Sequence, residues 1–259
     1  MKKFHKYFLP LLLVIAIAFV TGCKKDDDEP PTFESLSFTE EEILNKIPNG
    51  LKNSSDENAQ DLISYIETAV SWSAFEGFFT PPSNAEKVSG KSTNSEGTWK
   101  WTHTYEGYTI TYYWTYEETA SKYIWTLDVQ YAGGVLYNFV DAWELKDGTQ
   151  GEVRYNLQWA CVYDPDYYDV CDDLFLIYTW NINADGVINY TFVWESLEVE
   201  YNYYWRYELV INPNGSGTLD YYWLDDYWHW HYEWDALGNG TWVWYTEGTE
   251  VSGSGSWTV

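Results

Sequence analysis

From Gly97 onward the chain alternates apolar and polar residues with a period of two, and the apolar residues are mostly aromatic. Trp99, Trp101, His103 and Tyr105 alternate with Lys100, Thr102 and Thr104. Tyr108, Ile110, Tyr112, Trp114 and Tyr116 alternate with Thr109, Thr111, Tyr113 and Thr115. The same pattern returns in 153–162 and in 201–211. A helix would scatter these rings around its axis, whereas a strand collects them on one face and leaves a polar, Thr-rich face to water. Antiparallel sheet wetted on one side is the structure this pattern demands.

Turn residues punctuate the runs at Gly133-Gly134, Asp147-Gly148, Asp185-Gly186, Asn214-Gly215 and Gly238-Asn239-Gly240. About twelve strands are therefore expected between 97 and 259, joined as hairpins. Several units share a loose form of turn, Gly, alternating run and Trp, without a fixed period. The segment holds 16 Trp, 23 Tyr and 3 Phe in 163 residues, so its core needs no cofactor to fill it. The expected fold is mainly β, a single antiparallel meander curled into a barrel or half-barrel, with a β-sandwich as the alternative. A membrane-spanning barrel would gather its Trp and Tyr in girdles at the two strand ends, and here they run through mid-strand.

Ahead of the strands, 38–96 reads as a helical segment. Thr39 precedes Glu40-Glu41-Glu42-Ile43-Leu44, a short capped helix that Pro48 and Gly50 stop. A longer helix is expected over 55–75. Ser54 and Glu57 have capping-box spacing, and Ala59, Leu62, Ile63, Ile66, Ala69 and Val70 recur at helical intervals. Its stripe needs a partner, and the open mouth or edge of the sheet is the one available.

The first residues carry an address. Lys2, Lys3 and Lys6 lead into an apolar run from Phe8 to Val20, too short to span a bilayer comfortably and laid out as a secretory signal. Val20-Thr21-Gly22-Cys23 resembles the lipobox of bacterial lipoproteins, which implies removal of 1–22 and acylation of Cys23. Lys24-Lys25-Asp26-Asp27-Asp28-Glu29-Pro30-Pro31 then resembles the acidic export tag of surface lipoproteins in the Bacteroidota, and 23–37 reads as a tether. The implied location is the outer membrane, held by lipid and exposed at the cell surface; a periplasm-facing anchor is the alternative. In an exported chain the remaining pair, Cys161 and Cys171, is most simply a disulfide.

Loss of the signal removes three Lys and no acid, taking the formal charge from -26 to -29. A nucleic-acid partner needs a basic footprint, which this chain lacks. No Gly-rich phosphate loop precedes a helix and no Gly-x-Ser-x-Gly elbow occurs, so no catalytic residue is assigned. Carboxylates for glycoside hydrolysis are abundant, but for that reason no pair stands out.

His229, His231, Glu233 and Asp235 alternate with Trp228, Trp230, Tyr232 and Trp234. His-x-His on a strand ligates Zn²⁺ when a neighbour supplies a third group. Here the four are read as the wet face of a strand, and no metal centre or cofactor is expected. Asp164, Asp166, Asp169, Asp172 and Asp173 suit either a solvated loop or a Ca²⁺ site. Asn181-x-Asn183-x-Asp185-Gly186 starts like an EF-hand loop, but Phe192 stands where the bidentate Glu belongs, so a hairpin turn is expected.

The polar face near 199–235 carries Tyr204, Arg206, Asp220, Tyr222, His229, His231 and Glu233. Rings flanked by hydrogen-bonding groups are what sugar recognition uses. The expected function is a lipid-anchored, non-catalytic surface module that binds a glycan or protein ligand through this face. Two alternatives are a carrier with a hydrophobic ligand inside the curled sheet, and a glycan-acting enzyme.

Overall fold

The computed structural model describes residues 39–71, 81–89, 97–105, 107–156, 174–195, 203–224, 227–247 and 249–259. Three helices come first: α1 (Glu40–Lys46), α2 (Asn49–Lys52) and α3 (Glu57–Ser71). Thirteen strands follow: β1 (Glu86–Ser89), β2 (Gly97–Tyr105), β3 (Tyr108–Glu118), β4 (Lys122–Tyr131), β5 (Leu136–Leu145), β6 (Gln150–Asn156), β7 (Leu174–Ile182), β8 (Ile188–Glu195), β9 (Tyr203–Ile211), β10 (Gly217–Trp223), β11 (Trp228–Trp234), β12 (Gly240–Thr246) and β13 (Glu250–Trp257). Twelve of these lie in the stretch where about twelve were expected.

Strand order in the sheet follows chain order from β1 to β13, so the topology is a pure meander with β1 and β13 as its edges. The fold is mainly β with an N-terminal helix, as the pattern requires. Among the described residues β1 and β13 do not pair with each other to close a barrel, and all thirteen strands belong to one sheet instead of the two a sandwich would need. Period-two alternation specifies one buried face and is silent on closure. One glycine of each expected turn donates its N–H to the carbonyl three residues back: Gly134 to Tyr131, Gly148 to Leu145, Gly186 to Asn183, Gly215 to Asn212 and Gly238 to Asp235. The EF-hand-like stretch is such a turn, with Asn183 Oδ1 accepting from the N–H of Asp185 (2.9 Å) and Val187 (3.0 Å).

The chain forms two compact units. The first contains β1–β4 and β5 as far as Ala142. Its buried face is built from Trp99, Trp101, Tyr112, Trp114, Tyr116, Trp125 and Leu127. Trp101 stacks on its cross-strand neighbour Tyr112 at 5.2 Å. His103 shares that side of β2, opposite Ile110, and is half-buried. On the other face Thr98 and Thr115 hydroxyls are hydrogen-bonded at 3.0 Å.

The second unit contains the helices, the end of β5 and β6–β13. Thr39 caps α1, its hydroxyl accepting from the Glu42 N–H at 3.3 Å. Pro48 ends α1 as expected, but Gly50 does not terminate anything: it lies inside α2. A Cβ there would stand 2.3 Å from the Leu237 carbonyl oxygen, so this glycine answers to a close approach.

α3 begins two residues later than the capping box suggests. Asp56, not Ser54, is its cap, with Oδ1 accepting from the N–H of Asn58 (2.9 Å) and Ala59 (3.4 Å). Ser54 instead accepts from the Asp56 N–H. The helix is described to Ser71, and the remainder of the expected 55–75 span lies outside the described residues. Ala59, Leu62, Ile66, Ala69 and Val70 are all fully buried. Tyr65 rests on the sheet, 4.9 Å from the Tyr221 ring and 6.0 Å from that of Tyr232. The Tyr190 hydroxyl donates to the Ala69 carbonyl at 2.8 Å, fastening α3 to β8.

One device recurs three times along this unit. Gly151, Gly217 and Gly240 lie directly opposite Trp180, Trp234 and Trp257 on the next strand. Each indole lies across its glycine, and a Cβ on Gly240 would be 2.2 Å from the Trp257 ring. Each indole N–H then donates to a glycine carbonyl in the preceding turn: Trp180 to Gly148 (3.2 Å), Trp234 to Gly215 (2.8 Å) and Trp257 to Gly238 (2.7 Å). The loose repeat of turn, Gly, run and Trp is this latch.

No described helix is long and apolar enough to cross a membrane. Cys23, the tether, Cys161, Cys171 and the acidic stretch 164–173 lie outside the described residues.

Candidate functional site

The polar face of β9–β12 is ordered by register. Arg206, Tyr222, His229 and Tyr245 are successive cross-strand partners, so they form one row across four strands. The Arg206 guanidinium lies over the Tyr222 ring at 4.2 Å. Tyr222 stacks on His229 at 4.3 Å, and His229 on Tyr245 at 5.0 Å, with interplanar angles of 13° and 16°. Cross-strand neighbours on one face stand close enough for rings to meet, and cation–π attraction adds to the first pair.

The adjacent row holds Glu208, Asp220 and His231, again as direct partners. Arg206 Nε pairs with Glu208 at 3.1 Å, one row across on its own strand. Asp220 Oδ1 receives two imidazoles, His229 Nε2 at 2.7 Å and His231 Nδ1 at 2.8 Å. All three residues are half-buried. Burial works to raise the Asp220 pKa, but the His229 and His231 hydrogen bonds and then their charges outweigh it and hold it at about 2. The hydrogen bond that His231 makes to Asp220 raises the His231 pKa against the opposing effect of burial, with the charges of Asp220 and Glu233 adding to it. Burial, followed by the charges of Asp220 and Glu208, lifts the Tyr222 phenol above its ordinary value, so it remains a hydroxyl at neutral pH.

Of the residues expected to form a ligand face, the structure brings together Arg206, Asp220, Tyr222, His229 and His231. Glu233 is on the same strand face as His231 but exposed. Tyr204 belongs to β9, and its side chain lies outside the described residues. Asp235 leaves the His-x-His group altogether. It follows the last residue of β11 and spends Oδ1 on the N–H groups of Leu237, Gly238 and Asn239 in the turn.

The expectation of open rings on this face needs correcting at Tyr222. One side of that ring carries Arg206 and the other His229, so the phenol presents its edge and hydroxyl, not a free platform. Tyr245, the outer member of the row, escaped the sequence reading. Its place is visible only once β12 is set in register against β11.

A carboxylate pair also exists in the first unit. The Asn138 amide donates to Asp128 and Asp141, each at 3.1 Å. Burial raises the Asp128 pKa, Asn138 opposes this, and Asp141 adds to it. Asp141 is exposed, and the bridging amide holds the pair as a surface hydrogen-bond cluster.

Comparison with family models, with curated proteins and with solved structures finds no match to this chain.

Proposed function

We propose that this chain is a lipid-anchored, non-catalytic binding module of the cell surface, whose polar face on β9–β12 meets a hydroxyl-rich ligand such as a glycan. The observation that carries the reading is the Arg206–Tyr222–His229–Tyr245 row with Asp220 and His231 beside it. These side chains are fixed by one another before any ligand arrives, which lowers the ordering cost of binding. Donors (Arg206, the two phenols) share one row, and the carboxylates of Glu208 and Glu233 lie in neighbouring rows of the same face as acceptors. Because Tyr222 offers its edge, recognition proceeds through hydrogen bonds, with ring contacts confined to Tyr245. Asp220 is ionised at neutral pH and cannot serve as the proton donor that glycoside hydrolysis requires. Tyr65 of α3 is in ring contact with Tyr221 at 4.9 Å, which favours a packed helix over a ligand held beneath it.

The anchor is Cys23, proposed from the Val20-Thr21-Gly22-Cys23 pattern, with export to the surface proposed from the acidic tether. Probing a glycan array with the detergent-solubilised full chain tests the binding. The double variant Arg206→Ala with Tyr222→Ala should lose whatever glycan the wild type retains while keeping its far-ultraviolet dichroism. Retention of that glycan by the folded variant would move the site elsewhere. Metabolic labelling with a clickable fatty acid should mark the wild type and not Cys23→Ala.

A further inference from the structure

Asp220, His229 and His231 meet as three potential ligand atoms, all within 4.8 Å of one another. We infer that they form a site for a single divalent transition-metal ion, Zn²⁺ or Co²⁺, held by Asp220 Oδ1, His229 Nε2 and His231 Nδ1. The inference goes beyond the binding role above and stands without it, because a chain that retains no glycan can still hold the ion.

The donor set is the first reason. Two imidazoles and one carboxylate suit borderline ions, and three protein ligands with an open fourth position form a recognised zinc arrangement. Spacing is the second. Ligand atoms about 2.1 Å from a tetrahedral ion stand roughly 3.4 Å apart. Here the two nitrogens lie 2.7 and 2.8 Å from the carboxylate oxygen and within 4.8 Å of each other, so an ion would widen the two oxygen–nitrogen spacings by about 0.7 Å while Asp220 and His231 adjust to set the third. Each imidazole would turn its lone pair inward and carry its proton on the far nitrogen, or release it if doubly protonated.

Positioning is the third. Side-chain rotation is what most often spoils a surface His-x-His pair. His229 has little freedom to rotate, since its ring lies between Tyr222 and Tyr245 in near-parallel planes. The local field also favours a dication. Asp220 is anionic, and Glu233 is two residues from His231 on the same strand face. Arg206, the nearest opposing charge in the adjacent row, is paired with Glu208 and lies over Tyr222.

Isothermal titration of the chelator-treated full chain with Zn²⁺ alone should show one saturable equivalent. His231→Ala and Asp220→Asn should each weaken it by more than the 10–100-fold typical of supporting residues. A second measurement uses only the wild type. In proton–nitrogen spectra, stoichiometric Zn²⁺ should shift the His229 and His231 ring signals together and leave His103 unmoved. Many weak, unsaturable sites, as an acidic chain gives by simple charge attraction, would overturn the inference. So would unchanged affinity in either variant, or shifts centred on His103.

Discussion

Two rows of rings run back to back through β9–β12, and they differ in almost everything except geometry. On the helix side Tyr207, Tyr221, Trp230 and Trp244 stack in sequence at 4.8, 5.3 and 5.7 Å, with interplanar angles of 12°, 19° and 6°. On the opposite side, one residue away on each strand, run Arg206, Tyr222, His229 and Tyr245. Both rows are stacked across strands at similar spacing. The first has α3 laid on it where Tyr65 meets Tyr221, buries Tyr207 and Tyr221 with Trp230 and Trp244 half-buried, and contains no charge; the second is half-buried throughout and ends in a guanidinium. Ring stacking is therefore a property of the sheet's register, shared by both faces. What separates core from site is the cover above the row and the charges within it.

That contrast can be broken by substitution. The largest effect is expected from Trp234→Ala on the helix side. It removes a buried indole and its hydrogen bond to Gly215, and should cost about 3–5 kcal/mol in chemical denaturation. Next is Ile66→Ala on the covering helix, where loss of a fully buried side chain should cost about 2–5 kcal/mol. A cost below about 0.5 kcal/mol would mean that α3 contributes no cover, and the two faces would then differ by charge alone. The smallest is Tyr245→Ala on the polar side, about 0.2–1 kcal/mol, the value of one cross-strand pair. If Tyr245→Ala cost as much as Trp234→Ala, the polar row would be core and the distinction would collapse.

The two rows also divide what the amino-acid sequence discloses. Period two places Trp230 and His229 on opposite faces with no further information, and the strand count and turn glycines follow from the same pattern. It does not say which residue of β10 stands beside His231. Sliding β10 by two residues would keep every side chain on its face and yet separate Asp220 from both imidazoles. The triad is thus a product of register, which the hairpin turn sets. For the same reason Tyr245 could not be joined to the row in advance, and Tyr222 could not be known to have both ring faces covered. The α3 cap was misplaced for a local reason: Ser54, Ser55 and Asp56 are all competent caps, and spacing alone does not choose among them. Closure was beyond reach because alternation constrains faces, never edges.

The indole latch between a turn and the strand that follows bears on how such a chain can change its size. Every part of it sits within two neighbouring strands and the turn before them: a glycine, the tryptophan opposite, and one carbonyl. Nothing in it depends on how many strands precede or follow. A hairpin copied in tandem would arrive with its own fastening, and a hairpin deleted would take only its own away. The fold is in this respect open-ended, a ribbon whose width is set by the number of hairpins the chain encodes.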